Sequence, residues 1–166
     1  GPQGFHFLLR SSKSFLSESK EFTLQGEKVS STPEEFRLEG KVQFQEGPLE
    51  ISSDSLIYRS DQWEMQGNIQ MRIRKKGETL EIKTSQISGN PEAGIISMDG
   101  GVQLQTAKAR IEGKRGIYSR KEGYFQISDE ITVQYADGMQ VKASAFLYDL
   151  STGEFRLEQS EGTISL

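Results

Sequence analysis

FRLEGKVQFQEGPLEISSDSLIY, residues Phe36 to Tyr58, decides how the rest of the chain is read. In its first half Phe36, Leu38, Val42 and Phe44 fall on even positions, with Gly40 completing the series. Arg37, Glu39, Lys41 and Gln43 take the odd ones. A period of two puts one set on one face of a strand and the other set on the opposite face. After a turn at Glu46-Gly47-Pro48 the alternation resumes at Leu49 and Ile51, slips by one at Ser52-Ser53, and continues at Leu56 and Tyr58. An uncorrected slip would turn every later side chain to the wrong face, so a bulge or bend is expected near Asp54. The segment reads as a β-hairpin with one apolar face.

The hairpin repeats. Its first half returns as Trp63, Met65, Gly67, Ile69, as Ile96, Met98, Gly100, Val102, and more weakly as Phe125, Ile127, Asp129, Ile131, with a truncated copy at Phe155, Leu157. These starts are separated by 27, 33, 29 and 30 residues. The second half returns as Leu80, Ile82, Ile87, as Ala109, Ile111, Gly116, Tyr118, and as Met139, Val141, Phe146, Tyr148. Such a period marks a repeat architecture, in which each unit buries its apolar face by stacking on its neighbours. The expected fold is all-β, built from hairpin repeats of about 30 residues, with strands of about five to ten residues.

Turn residues recur at Glu46-Gly47, Ser60-Asp61, Lys76-Gly77, Asn90-Pro91, Asp99-Gly100, Glu122-Gly123, Asp137-Gly138 and Thr152-Gly153, as a meander requires. Before the repeats, Phe5, Phe7 and Leu9 suggest an edge strand, followed by an irregular Ser-rich stretch. Glu21 to Gly26 resembles half a copy, and Ser30 to Glu35 reads as a loop around Pro33. Residues 1–4 read as the scar of a cleaved purification tag, 5–35 as an N-terminal edge strand with an irregular segment, and 36–166 as the repeat domain, forming one domain with 5–35. A signal peptide or membrane anchor removed with the tag is compatible with that scar.

The composition narrows the function. Hydrophobic residues make up 34% of the 166, thin for a thick globular core but enough for one apolar stripe per strand. A two-layer or open-sided sheet fits that supply. Acidic and basic residues are interspersed around a net charge of −4, which argues against nucleic acid as a partner. The chain has no cysteine, so disulfides, thiolate nucleophiles and cysteine-held metals are excluded. His6 is the only histidine and lies near one end, where a triad or histidine metal site is not expected. Asp54, Asp61, Asp99, Asp129, Glu130, Asp137 and Asp149 mostly sit next to turns, where Asp satisfies local backbone N–H groups, so a structural role is expected ahead of a paired-carboxylate catalytic one. Arg72, Arg74, Lys75 and Lys76 ring one hairpin tip, and Lys108, Arg110, Lys114 and Arg115 form a second group. A solvated surface that discourages edge pairing is the favoured reading, and attraction to an anionic head group or phosphate the other. The chain is therefore expected to be neither an enzyme nor a holder of a cofactor or metal.

The apolar stripe has two readings. It is either a closed core or a trough for acyl chains, and repetition favours the trough because stacked hairpins keep a constant cross-section. The candidate groove takes Phe36, Leu38, Val42, Phe44, Leu49 and Ile51 from the first copy, and Trp63, Met65, Ile69, Met71 and Ile82 from the second. The third contributes Met98, Val102, Leu104 and Ile111, and the fourth Phe125, Ile127, Ile131, Val133, Val141 and Phe146.

The pattern F-x-L-x-G-x-V…G-x-L-x-I-x-x-D-x-L-x-Y at Phe36 to Tyr58 resembles the OstA-type repeat of the periplasmic lipopolysaccharide-transport proteins. So do WEMQGNIQM at Trp63 to Met71 and SMDGGVQLQ at Ser97 to Gln105. From Ile127 onward the chain is similar to the end of the membrane-anchored C component of that system, while the first 35 residues leave the A and C components both open. The resemblance implies an open, twisted β-jellyroll of two antiparallel sheets. Lipid A chains of lipopolysaccharide would lie between the sheets, and modules would join edge to edge into a bridge. It further implies a periplasmic location, with or without an inner-membrane anchor, and partners in the other bridge components and the inner-membrane transporter. The competing expectation is a structural β-solenoid that binds no ligand and polymerises through its edges.

Overall fold

The computed structural model describes residues 7–11, 22–90, 94–159 and 162–165. Every regular element among them is a strand. In order these are β1 (Phe7–Ser11), β2 (Phe22–Gly26), β3 (Lys28–Ser31), β4 (Glu35–Glu46), β5 (Leu49–Arg59), β6 (Gln62–Lys75) and β7 (Glu78–Asn90). They continue as β8 (Ile95–Gln105), β9 (Ala109–Gly113), β10 (Arg115–Ser119), β11 (Tyr124–Tyr135), β12 (Gln140–Asp149), β13 (Phe155–Gln159) and β14 (Gly162–Ser165). All pair antiparallel in one sheet, ordered β1-β2-β4-β5-β6-β7-β8-β10-β11-β12-β13-β14. β2 and β3 both lie along β4, on either side of Glu27, and β9 and β10 both lie along β11, on either side of Lys114. Each of these pairs acts as one long strand broken in the middle. The expected Ser-rich stretch and His6 lie outside the described residues.

The break and the slip belong to one device. Between β4 and β5 the register shifts so that Gly40-Lys41 oppose the single residue Asp54. Asp54 and Ser85 both stand opposite Gly67-Asn68 of β6, and Ser85 also opposes Gly100-Gly101 of β8. Asp129-Glu130 of β11 oppose Ser144. All eight of the doubled residues have positive φ, from +46° at Lys41 to +92° at Gly101. A seam of β-bulges thus crosses the sheet once per repeat, and bulges bend a strand without ending it. The bulge expected near Asp54 is present, with the extra residue on the strands flanking it.

Several expectations change for this reason. Asp99-Gly100 is not a turn but lies within β8. Asp99, Asp129 and Glu130 are likewise seam residues within strands and not beside turns. Strands run longer than five to ten residues: β4 has 12, β6 has 14 and β7 has 13, because each continues through the seam. The loop expected at Ser30 to Glu35 shrinks to a turn after Ser31, where Thr32 Oγ1 accepts the N–H groups of Glu34 and Glu35 at 3.3 and 3.1 Å.

The seam divides the sheet into two arms. A first arm holds β3, residues 35–39, 55–59, 62–66, 86–90 and 95–99, β10, residues 124–128 and 145–149, and β13 and β14. A second arm holds β1, β2, residues 42–46, 49–53, 69–75, 78–84 and 102–105, β9, and residues 131–135 and 140–143. Contacts between strands that are not neighbours in the sheet fold one arm over the other. Phe22 of β2 meets Trp63 of β6 edge to face, with centroids 5.9 Å apart, and Glu46 and Arg120 meet although 74 positions apart. Between the arms the inward side chains form one apolar cluster.

Candidate functional site

The apolar interior is the site that the alternation builds. On β4 the inward residues stay on even numbers through the bulge, from Leu38 to Val42 and Phe44. On β5 they change from odd (Leu49, Ile51) to even (Leu56) across Asp54. The two strands therefore keep one apolar face despite the slip.

All of the predicted groove residues belong to, or pack against, this single cluster. All are buried except Phe36 and Val141, which are partly buried. Residues outside the predicted set complete the interior, among them Phe22, Leu24, Leu56, Ile73, Leu80, Ile87, Ile96, Tyr118, Tyr148, Phe155 and Leu157. Most of these carry the same parity signal. Met139, at the start of the fourth second-half copy, is instead 55% exposed on the tip between β11 and β12.

Coverage is uneven along the stack. Inward residues that stay partly exposed are Val29, Phe36 and Tyr58 on early strands of the first arm, Tyr135, Val141 and Ala143 on late strands of the second, and Leu150 just after β12. Elsewhere the chain's own side chains occupy the interior. Aromatic groups reinforce each region. Phe22 lies 5.4 Å from Phe44 and Tyr58 lies 4.6 Å from Trp63, while Phe155 lies 4.8 Å from Tyr148 and 5.4 Å from Phe146.

Polar contacts close the rim opposite the seam. Glu46 continues the inward parity of Phe44, so its carboxylate points inside. Its side chain has no exposed surface, and Oε1 accepts a 2.9 Å hydrogen bond from Arg120 Nη1. Next to them, burial pushes the buried Tyr118 phenol above its ordinary pKa; Arg120 opposes this and Glu46 adds to it. Farther along, Tyr148 Oη donates to Glu78 Oε2 at 2.9 Å and accepts from Lys75 Nζ at 2.7 Å. Burial first, and then the hydrogen bond to Glu78, hold the Tyr148 phenol well above its usual range. The repeat places Tyr118 and Tyr148 on the apolar face but gives no sign of their polar partners. Glu46 reads as a turn residue and Lys75 as part of a solvated tip, although the even position of Glu46 is a usable signal.

The outer faces are polar and paired. Arg72 reaches Glu81 at 3.3 Å and Glu50 at 3.9 Å, Arg74 reaches Glu50 at 2.9 Å, and Lys114 reaches Glu130 at 3.2 Å. A recess of about 220 Å³ on this surface runs between Gln43, Glu50, Gln70, Arg72 and Lys83. Among the described residues no group of three or more His, Asp or Glu is placed to hold a metal, and no helix is long and apolar enough to cross a membrane.

No protein-family model matches the chain, and no curated protein sequence does. A solved structure does match. It is the crystal structure of LptH, the LptA-homologous periplasmic component of the conserved lipopolysaccharide transport device from Pseudomonas aeruginosa. The match has a TM-score of 0.60 and covers 69% of this chain and 86% of LptH. The two share a fold. Sequence identity is 7%, so the likeness is one of architecture: an all-β, twisted jellyroll of antiparallel strands, all-β as the repeats predict and a jellyroll as the resemblance implies.

Proposed function

We propose that this chain is a lipid-carrying bridge module of the periplasm. It holds the acyl chains of lipopolysaccharide between its arms and passes them along toward the outer membrane. The observation that carries this reading is the single apolar interior running the length of the stack, least covered at its two ends. Its likeness in fold to LptH, a periplasmic component of a lipopolysaccharide transport device, supports the same reading. Each methylene moved from water into the interior is worth about 0.8 kcal/mol, so a few acyl chains supply ample affinity without a hydrogen bond. The predicted groove residues would make these contacts after the arms part or their side chains rearrange. Nothing in this role calls for a catalytic group or a cofactor.

The outermost strands of the sheet would join the module to its neighbours. β1 at one end and β14 at the other leave one side of their main chains unpaired within the described sheet, and strand addition by other bridge components or by an inner-membrane transporter would satisfy them. The rival reading is a ligand-free scaffold. One observation favours it: the interior is already filled by the chain's own side chains. Native mass spectrometry after incubation with lipopolysaccharide separates the two. The bridge predicts a bound mass equal to the glycolipid, and the scaffold predicts the bare chain.

A further inference from the structure

The two arms are covalently continuous along the seam. Along the opposite rim, side-chain contacts among the described residues join them. The tip between β4 and β5 belongs to the second arm, and the tip between β10 and β11 to the first. Glu46 and Arg120 meet between them at 2.9 Å, the glutamate fully buried and the arginine side chain 23% exposed. The tip between β6 and β7 meets the end of β12 in the same way, through Glu78, Lys75 and Tyr148. The Lys75 ammonium also lies 4.7 Å from the Tyr148 ring centroid. Both contacts sit at the margin of the apolar cluster, with Tyr118, Tyr148 and Phe155 directly inside.

We propose that these two contacts form a latch on the side of the interior, and that lateral entry of acyl chains requires its release. The proposal rests on the reading that acyl chains occupy the interior. The chemistry suits a latch. A buried carboxylate–guanidinium pair is directional and re-forms in one geometry, yet its desolvation cost offsets most of its attraction. Such a rim holds one closed arrangement and opens at lower cost than an apolar contact of the same extent. The strand ladder and the seam are left intact.

The absence of cysteine makes the test direct. Gln45→Cys and Lys121→Cys place nitroxide labels at exposed positions on the two sides of the Glu46–Arg120 contact. Their separation is measured in the otherwise unchanged chain and in one carrying Glu46→Gln with Tyr148→Phe, which remove the charge and the hydroxyl but keep the size of each side chain. The latch predicts one narrow distance in the former and an added longer population in the latter. It also predicts several-fold faster uptake of the fluorescent fatty acid cis-parinaric acid, and slow uptake once a bis-maleimide bridges the two cysteines. Unchanged distances in a variant that keeps its β-type circular dichroism overturn the latch, as does undiminished uptake by the bridged protein. If the double variant fails to fold, the two single substitutions are compared by the same distances. A rim that opens while no form binds the fatty acid overturns the acyl-chain reading and leaves the latch standing, since the distances alone decide it.

Discussion

Gly67 lies in the seam at φ +85°, and a Cβ built on it would collide with the Asp54 side chain. An alanine there meets both a left-handed backbone and a blocked space, so Gly67→Ala is expected to lower stability by about 1–3 kcal/mol in urea unfolding. Asp129 occupies the matching position in the fourth copy at φ +68°, a conformation that Asp tolerates better than most residues. Asp129→Gly should therefore cost far less than Gly67→Ala, and equal losses would count against the seam as the reason for the glycines. Tyr148 supports a prediction about pH. Its folded-state pKa lies above the unfolded value near 10, so the protein gains stability from the protonated phenol below pH 10 and loses it as pH rises beyond. The stability advantage over Tyr148→Phe should be constant from pH 7 to about 9 and shrink above about 10, where the unfolded-state phenol ionises. A difference that does not change with pH would show that Tyr148 acts through packing alone. The alternation made the inward residues legible one by one. The rim pairs were not, because Glu46 and Arg120 stand 74 positions apart, and how the arms meet depends on the accumulated twist of the strands between them.

At the scale of elements, the repeat identified the hairpins but not the bulges that bend them. A bulge leaves parity unchanged on one strand and reverses it on the partner, so the slip at Ser52-Ser53 was visible while the extra residue at Gly40-Lys41 was not. Asp99-Gly100 looked like a turn for the same reason: turn chemistry and bulge chemistry both call for positive φ. The broken long strands β2–β3 and β9–β10 follow the same geometry, since Glu27 and Lys114 stand where other strands carry Asp54, Ser85 or Ser144. The outermost strands support a separate test. β14 pairs with β13 through Leu157 and Ile164 and has no strand on its other side among the described residues. Ile164→Pro removes a main-chain donor there, and proline is tolerated only at edges. Pull-down of a partner module should weaken, while the melting temperature of the central strands changes little. Undiminished pull-down by the folded variant would mean that β14 is not a docking edge.

For the whole molecule, a sheet folded along a periodic seam encloses one apolar interior, filled by the chain's own side chains between its ends. Its walls repeat, its ends are partly uncovered, and its side is shut by polar contacts. That shape explains a composition low in hydrophobic residues, because each strand needs apolar groups on one face only. It also explains how large aromatic groups fit: they cluster toward the ends, with Phe22, Phe44, Tyr58 and Trp63 at one and Phe146, Tyr148 and Phe155 at the other. The central claim is that acyl chains bind on the inner face and not the outer. Photo-reactive residues at position 69 or 102, both buried in the interior, and at outward position 37 or 70 test it most directly in the presence of lipopolysaccharide. Glycolipid adducts are expected from 69 and 102 and none from 37 and 70; equal capture on both faces, or capture on the outer face alone, would rule out binding in the interior.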